Sequence, residues 1–423
     1  MNATSCTASG AWSGPQSLTA SLWIKAATTG SFRYALQCTG DGGSTSASVT
    51  MEAWLPIPFS LASYDNYKTD GLSQIEFPVG TLGYYRDGPL AYALADFSRE
   101  GYRDLFTASQ NYGIRTAWDT LGQTVDQALS DPRFLSDFSI WRKGPEGAWS
   151  RRFTAKGCLH PRKALVTDFN ADGYPDIYVA CHGYDASPYP GELNRLMIND
   201  RNGSFTISEH GVSTKGEDGI GGWVFGGFTH GAAAGDLNGD GLADLVLTTV
   251  PVSVMINRGN GSFRLDRSRI SLSSDVGYNS VELVDVNNDK ILDLLAGGAE
   301  SRNATTMVTL GSPSGFFSSQ KLLLPSVSGR RVVLDFTLAG KTDRPILFVG
   351  RTADGSDTQS YYSTTTVQRI DLTSLESSTI IDTRSTPPNL RWVAWWIPGK
   401  QNGQDGILPY SSRFPELFVP SFP

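Results

Sequence analysis

Along most of this chain, apolar residues come in short runs closed off by Gly, Asn, Asp and Pro. "SFRYALQCTG" alternates, with Phe32, Tyr34, Leu36 and Cys38 on one face, and "STSASVTMEAW" alternates after the turn signal Asp41-Gly42-Gly43. A period of two predicts a β-hairpin with one buried face. Further on, a nine-residue pattern opens with an acid: "DFSREGYRD" at Asp96, "DFNADGYPD" at Asp168, "DLNGDGLAD" at Asp236 and "DVNNDKILD" at Asp285. "DFTLAGKTD", at Asp335, keeps only the ends. Small or apolar residues precede each copy (ALA, LVT, AAG, ELV, VVL), and a strand-like run follows (LFTAS, IYVAC, LVLTT, LLAGG, and ILFVG after Pro345).

The copies are spaced by 72, 68, 49 and 50 residues. A repeat of about 50 residues with four short strands predicts β-propeller blades. "MINDRNGSF" (197–205) and "MINRGNGSF" (255–263) read as strand, Asn-Gly turn, strand, the outer hairpin of a blade, and "TLGSPSGFF" (309–317) is a weaker third copy. "RWVAWWIPGKQNGQDGILPYS" (391–411) begins a sixth unit, with too little chain after it for a second hairpin. "SYDNYKTDGLSQIEF" (63–77) would supply that hairpin, so that both chain ends share the last blade. The expectation is all-β: a propeller of six blades, with seven as the alternative, over residues 55–423, behind a smaller β-module over residues 1–54. The extra length in the first two intervals reads as insertions, one at 116–143 with a short helix at "TVDQALSD", the other after Cys181.

Composition narrows the function. A formal net charge of -7 argues against a nucleic-acid binder, and no apolar stretch is long enough to span a membrane as a helix. The four cysteines contain no CxxC, so disulfides in an oxidising compartment are favoured over zinc, with buried thiols as the alternative. Met1 is followed at once by polar Asn2-Ala3-Thr4, so no signal peptide shows, and a chain truncated upstream is expected.

The acidic pattern places oxygens at positions 1, 3, 5 and 9 and a backbone carbonyl at 7, which suits a cation that takes six to eight hard oxygen ligands. Three carboxylates this close repel one another without a cation. The first four copies hold 12 of the 42 acidic residues. Unlike an EF-hand, the loop ends in Asp at position 9 and runs straight into a strand.

This repeat resembles the FG-GAP or VCBS-type repeats of integrin α-subunit propellers and many bacterial extracellular proteins. The resemblance implies structural Ca²⁺, two to four ions. Its ligands would be Asp168, Asn170, Asp172 and Asp176 with the Tyr174 carbonyl, then Asp236, Asn238, Asp240 and Asp244 with that of Leu242. In the fourth copy they would be Asp285, Asn287, Asp289 and Asp293 with Ile291, although Lys290 replaces the glycine. In the first copy Asp96, Ser98, Glu100 and Asp104 remain, with Arg99 and Arg103 alongside as cations that would compete with a metal. At the N-terminus, "NATSCTASGAWSG…YALQCTGDGGSTSASVTM" resembles bacterial immunoglobulin-like modules that carry SCTASGAWSG and a later YTLTCTG. That likeness implies a Cys6–Cys38 disulfide, while two strands of the module are missing upstream.

If the acidic loops join strands one and two of each blade, "GCLHPRK" (157–163), "CHGYDASPYPGE" (181–192) and "GGWVFGGFTHG" (221–231) lie at the opposite end. Cys158 and Cys181 would meet there as a second disulfide. His160, His182 and His230 gather there with Tyr184, Asp185, Glu192 and Trp223. Aromatic-rich loops on a rigid scaffold are a common place for binding. The competing readings are loops that only bond one another, and a His/Glu transition-metal site. No G-x-S-x-G, HExxH or P-loop is present, so no enzyme is indicated. The expected function is a secreted or surface-exposed calcium-binding adhesion or binding module with a protein or glycan ligand. A subunit of a filament or surface layer that self-associates by strand exchange is one alternative, and a carbohydrate-active lyase or hydrolase is another.

Overall fold

The computed structural model describes residues 3–17, 30–53, 91–100, 104–108, 122–124, 127, 131–143, 149–183, 191–208, 229–249, 252–272, 277–298, 305–341, 344–359, 363–382, 396–401, 404–409 and 419–420. The chain divides into two compact units: Met1–Ile57 with Arg99–Gly101, and Pro58–Ser98 with Tyr102–Pro423.

In the first unit, β1 (Ser5–Gly10), β2 (Gly14–Gln16), β3 (Gly30–Gly40) and β4 (Gly43–Ala53) form one antiparallel sheet in the order β2-β1-β3-β4. The tight β3–β4 turn falls at the Asp-Gly signal, with Gly40 opposite Gly43. Cys6 and Cys38 lie directly opposite each other on β1 and β3 and form a disulfide. It therefore joins hydrogen-bonded neighbours within one sheet, whereas an immunoglobulin disulfide ties two sheets together. Cys6, Ala8 and Tyr34 are buried, and Trp12 packs edge-on to Tyr34 while its indole N–H donates to the Ala35 carbonyl.

The second unit repeats a four-stranded antiparallel meander. Its sheets are β5–β8 (Ala91–Ala95, Asp104–Ala108, Asp137–Lys143, Trp149–Lys156) and β9–β12 (Pro161–Thr167, Asp176–Cys181, Arg195–Asn199, Phe205–Ser208). There follow β13–β16 (Ala232–Gly235, Asp244–Leu247, Ser253–Asn257, Phe263–Leu265) and β17–β20 (Tyr278–Val284, Asp293–Gly298, Met307–Thr309, Leu322–Leu323). The last are β21–β24 (Val332–Lys341, Arg344–Thr352, Thr366–Asp371, Ser377–Asp382) and β25–β27 (Trp396–Gln401, Gln404–Pro409, Val419–Pro420). The first strands pack in series: β9 on β5, β13 on β9, β17 on β13, β21 on β17 and β25 on β21. This is a β-propeller, with six blades among the described residues.

The core lies between blades, which explains why the second strands are apolar throughout instead of alternating. Along β10, Ile177 and Val179 pack with Phe106, Phe138 and Phe205 toward the first blade. Tyr178 and Ala180 pack with Leu245 and Met255 toward the third. A strand covered on both faces has no solvent side to keep polar. Each fully buried Val, Leu or Ile contributes roughly 1.5–3 kcal/mol.

Two expectations are corrected. The first-blade insertion ends before Asp137, because 137–143 is the third strand β7. Within it, Thr124 and Gln127 exchange side chain–backbone hydrogen bonds, the reciprocal arrangement of a helix N-cap. The weak hairpin copy at 309–317 is a longer loop, since β20 begins only at Leu322. The degenerate copy "DFTLAGKTD" begins within β21, which runs on to Lys341 opposite Arg344. Asp335 is thus a strand residue that matched the repeat by composition. The proposed closing hairpin at 63–77 lies outside the described residues.

Candidate metal loops and the histidine face

The acidic loops join first to second strands, and three of them share one hydrogen-bond pattern. In the second blade Asp168 accepts from the amides of Asp172 (3.0 Å) and Gly173 (2.6 Å), Asn170 Oδ1 from Asp172 (3.0 Å), and Asp172 Oδ1 from Tyr174 (2.9 Å). In the third, Asp236 accepts from Asp240 (3.1 Å) and Gly241 (2.8 Å), Asn238 from Asp240 (3.0 Å), and Asp240 from Leu242 (2.9 Å). In the fourth, Asp285 accepts from Asp289 (3.1 Å) and Lys290 (2.7 Å), Asn287 from Asp289 (3.1 Å), and Asp289 from Ile291 (2.8 Å). The backbone turns left-handed at position 4, at Ala171, Gly239 and Asn288, and at position 6, at Gly173, Gly241 and Lys290. Lys290 therefore follows the same path as the glycines it replaces.

The ninth-position aspartate is a clasp. One oxygen of Asp176 accepts from Phe169 (2.9 Å) in its own loop and the other from Asn199 (2.8 Å) on the third strand. Asp244 does the same with Leu237 and Asn257, and Asp293 with Val286 and Gly311. Burial, with added repulsion from Asp168 and Asp172, pushes the Asp176 carboxyl up to about 7. Asp244 rises to about 7 and Asp293 to about 6 for the same reasons. Such crowded, desolvated carboxylates with hard oxygen donors suit Ca²⁺, so the residues of blades two to four fit the ion.

The first loop differs. Arg142 of β7 donates from Nε to Asp104 Oδ1 (2.7 Å) and from Nη2 to Asp104 Oδ2 (3.0 Å), and it also reaches the Ser98 hydroxyl. A guanidinium thus neutralises the ninth-position carboxylate, and it comes from the third strand instead of the neighbouring Arg99 or Arg103. In this respect the first loop differs from those of blades two to four, whose ninth-position aspartates accept two backbone amides. The residues 101–103 lie outside the described set.

Asn199 and Asn257, the Asn of the two "MIN" segments, also join blades. Asn199 Nδ2 donates to the carbonyls of Phe97 (2.8 Å) and Pro175 (3.0 Å), and Asn257 Nδ2 to those of Phe169 (2.9 Å) and Ala243 (3.0 Å). Each side chain grips the acidic loop of the preceding blade as well as its own. In sequence these residues showed only as the end of a hairpin strand.

At the opposite end of the blades, three of the chain's four histidines form a row. The His160 and His182 ring centroids are 4.8 Å apart, and those of His182 and His230 4.2 Å. His182 Nε2 and His230 Nε2 are 2.9 Å apart, while Nδ1 of His160 and Nδ1 of His182 both donate to the Gly183 carbonyl, at 3.2 and 3.3 Å. Burial, then the neighbouring His230 and His160, holds His182 well below the ordinary imidazole range. Glu192 sits beneath them, buried, with its carboxylate taken up by the amides of Leu159, His160 and Gly183. It therefore holds the loops together. The disulfide Cys158–Cys181 lies beside it, and Asn194 Oδ1 accepts from the Cys181 amide. Tyr184, Asp185 and Trp223 lie outside the described residues.

A fourth cluster went unseen in the sequence. Lys163 on β9 lies 3.0 Å from Glu282 on β17 and 3.8 Å from Asp335 on β21, all three buried. Blade two is next to neither blade four nor blade five, so Lys163 must reach Glu282 and Asp335 across the propeller axis.

Residues 168–247 and 236–296 match the family described as FG-GAP-like repeat, so this part of the chain carries FG-GAP-like repeats. A search of curated proteins finds no match. Among solved structures, the chain is similar to a protein from Lactobacillus plantarum at 11% identity and a TM-score of 0.39, covering 89% of this chain and 82% of that one. It is also similar to a quinonprotein alcohol dehydrogenase-like protein from Bacteroides thetaiotaomicron at 8% identity and a TM-score of 0.30, covering 89% and 88%. Among the described residues no helix is long and apolar enough to cross a membrane.

Proposed function

We propose that this chain is a non-enzymatic binding module of an extracellular or cell-surface protein, a propeller clasped by Ca²⁺ in the acidic loops of blades two, three and four. The observation that supports the calcium reading is the amide pattern shared by the loops at Asp168, Asp236 and Asp285, each followed by a buried ninth-position carboxylate. The ion would be structural, fixing first strand to second. The ligand, a protein or a glycan, is assigned to the histidine end, where the Cys158–Cys181 disulfide and Glu192 anchor the long loops. Disulfides suit an oxidising location.

Calorimetric titration of Ca²⁺ into chelator-stripped protein tests the first half, with three equivalents taken up and the melting temperature raised. No uptake, together with a melting temperature that chelator leaves unchanged, overturns it. Glycan- and protein-array binding tests the second half: Trp223→Ala or Tyr184→Ala should abolish it while Ca²⁺ uptake persists. Turnover of a polysaccharide would replace the binding reading with an enzymatic one.

A further inference from the structure

We infer that His182 and His230 form a site for a divalent d-block cation, with Cu²⁺ the best fit. The inference is independent of the calcium loops, which lie at the other end of the blades. It rests on three observations. First, the two Nε2 atoms are 2.9 Å apart. Imidazole nitrogens bind such metals at about 2.0–2.1 Å, so one ion bound to both would subtend an N–metal–N angle of about 90°. That is the cis angle of a tetragonal or octahedral site. A tetrahedral Zn²⁺ would need the nitrogens roughly 3.3 Å apart, so the pair as it stands suits Cu²⁺ or Ni²⁺ better.

Second, the tautomer of His182 is already set. A carbonyl only accepts, so the contact from His182 Nδ1 to the Gly183 oxygen puts the ring proton on Nδ1 and leaves the lone pair on Nε2. This is the outer partner that metal-ligating imidazoles commonly have, a backbone carbonyl that fixes ring orientation and raises basicity. The same carbonyl holds His160 Nδ1, so the next ring in the row is set alike. In the metal-free chain the proton between the two Nε2 atoms belongs to His230. Binding moves it to His230 Nδ1, and each imidazole stays neutral.

Third, the pair is rigid on one side and reachable on the other. His182 is buried and follows β10 directly, where the Cys158–Cys181 disulfide and the three amide bonds of Glu192 fix the backbone. His230 is only partly buried. With two protein nitrogens in place, the remaining coordination positions would be filled by water or by an oxygen or nitrogen of a bound molecule.

The test titrates CuCl₂, with NiCl₂ and ZnCl₂ in parallel, into the full chain with disulfides intact and Ca²⁺ in excess. One Cu²⁺ per chain is expected, with nitrogen hyperfine structure from two imidazoles in its paramagnetic resonance spectrum and weaker binding of Zn²⁺. His230→Ala and His182→Ala should each weaken binding by about 10–100-fold or more and remove one nitrogen from the spectrum. Because His182 is buried, the partly exposed His230→Ala carries the test if the other variant fails to fold, with an unchanged circular-dichroism spectrum and melting temperature as the folding control. Absence of stoichiometric Cu²⁺ binding, or binding that His230→Ala leaves unchanged, overturns the site.

Discussion

Lys163, Glu282 and Asp335 show what single side chains do at the axis of this molecule. Three charges sit out of water with one lysine against two carboxylates, which gains Coulomb energy at a large desolvation cost. Lys163→Met leaves both carboxylates buried without their cation and should destabilise by about 3–5 kcal/mol, read from urea unfolding. Burial, opposed by Lys163 and reinforced by Asp335, pushes the Glu282 carboxyl up to about 7. An unfolded glutamate titrates near about 4.3. Between those values the folded chain keeps a proton that the unfolded chain has released, so stability falls as pH rises through this window. Glu282→Gln should reduce that fall relative to the unsubstituted chain, measured by denaturation of both at several pH values. Lys290 is the other telling residue. Its left-handed backbone is one that glycine adopts without strain, so Lys290→Gly should stabilise by about 0.5–1 kcal/mol in the same assay.

At the scale of elements, the loop and the third strand act as one piece. Asp244 fastens the loop to β15 through the Asn257 amide, and the Asn257 side chain fastens both to the preceding blade. Asn257→Ala orphans the buried carbonyls of Phe169 and Ala243 and should cost about 1–3 kcal/mol in thermal unfolding. In the fourth blade Gly311 takes the asparagine's place; it donates to Asp293, and an added Cβ would lie 2.1 Å from the Leu292 carbonyl. The repeat and its loops were legible in sequence because oxygen donors at fixed spacing are a local property. Arg142 in the first loop was not, because it arrives from a strand 38 residues beyond Asp104. The "DFTLAGKTD" copy marked the fifth blade correctly, with ILFVG in its second strand, but the right residues at its ends say nothing about how far the first strand runs.

For the whole molecule, the disulfide Cys158–Cys181 spans a sequence separation of 23 and ties the end of β10 to the approach to β9. Replacing both cysteines with alanine should remove about 3 kcal/mol, mainly by freeing the unfolded chain. The same variant should also loosen the histidine row, which sits on the backbone that this bridge holds. Propellers concentrate long-range contacts between successive blades, and here the axis adds a contact, Lys163 to Glu282, between residues 119 apart in the chain.

The chain alone determined the strand-rich architecture, the four-strand repeat, the acidic loops and the placing of three histidines at the other end. All of these follow from local periodicity and from the alternation of direction within an antiparallel meander. Only the tertiary structure decided which loop a guanidinium fills, that Glu192 is spent on backbone amides, that Asp335 faces the axis, and that His182 and His230 meet nitrogen to nitrogen. Those facts depend on how strands and blades pack, which brings together residues whose spacing in sequence carries no trace of their contact.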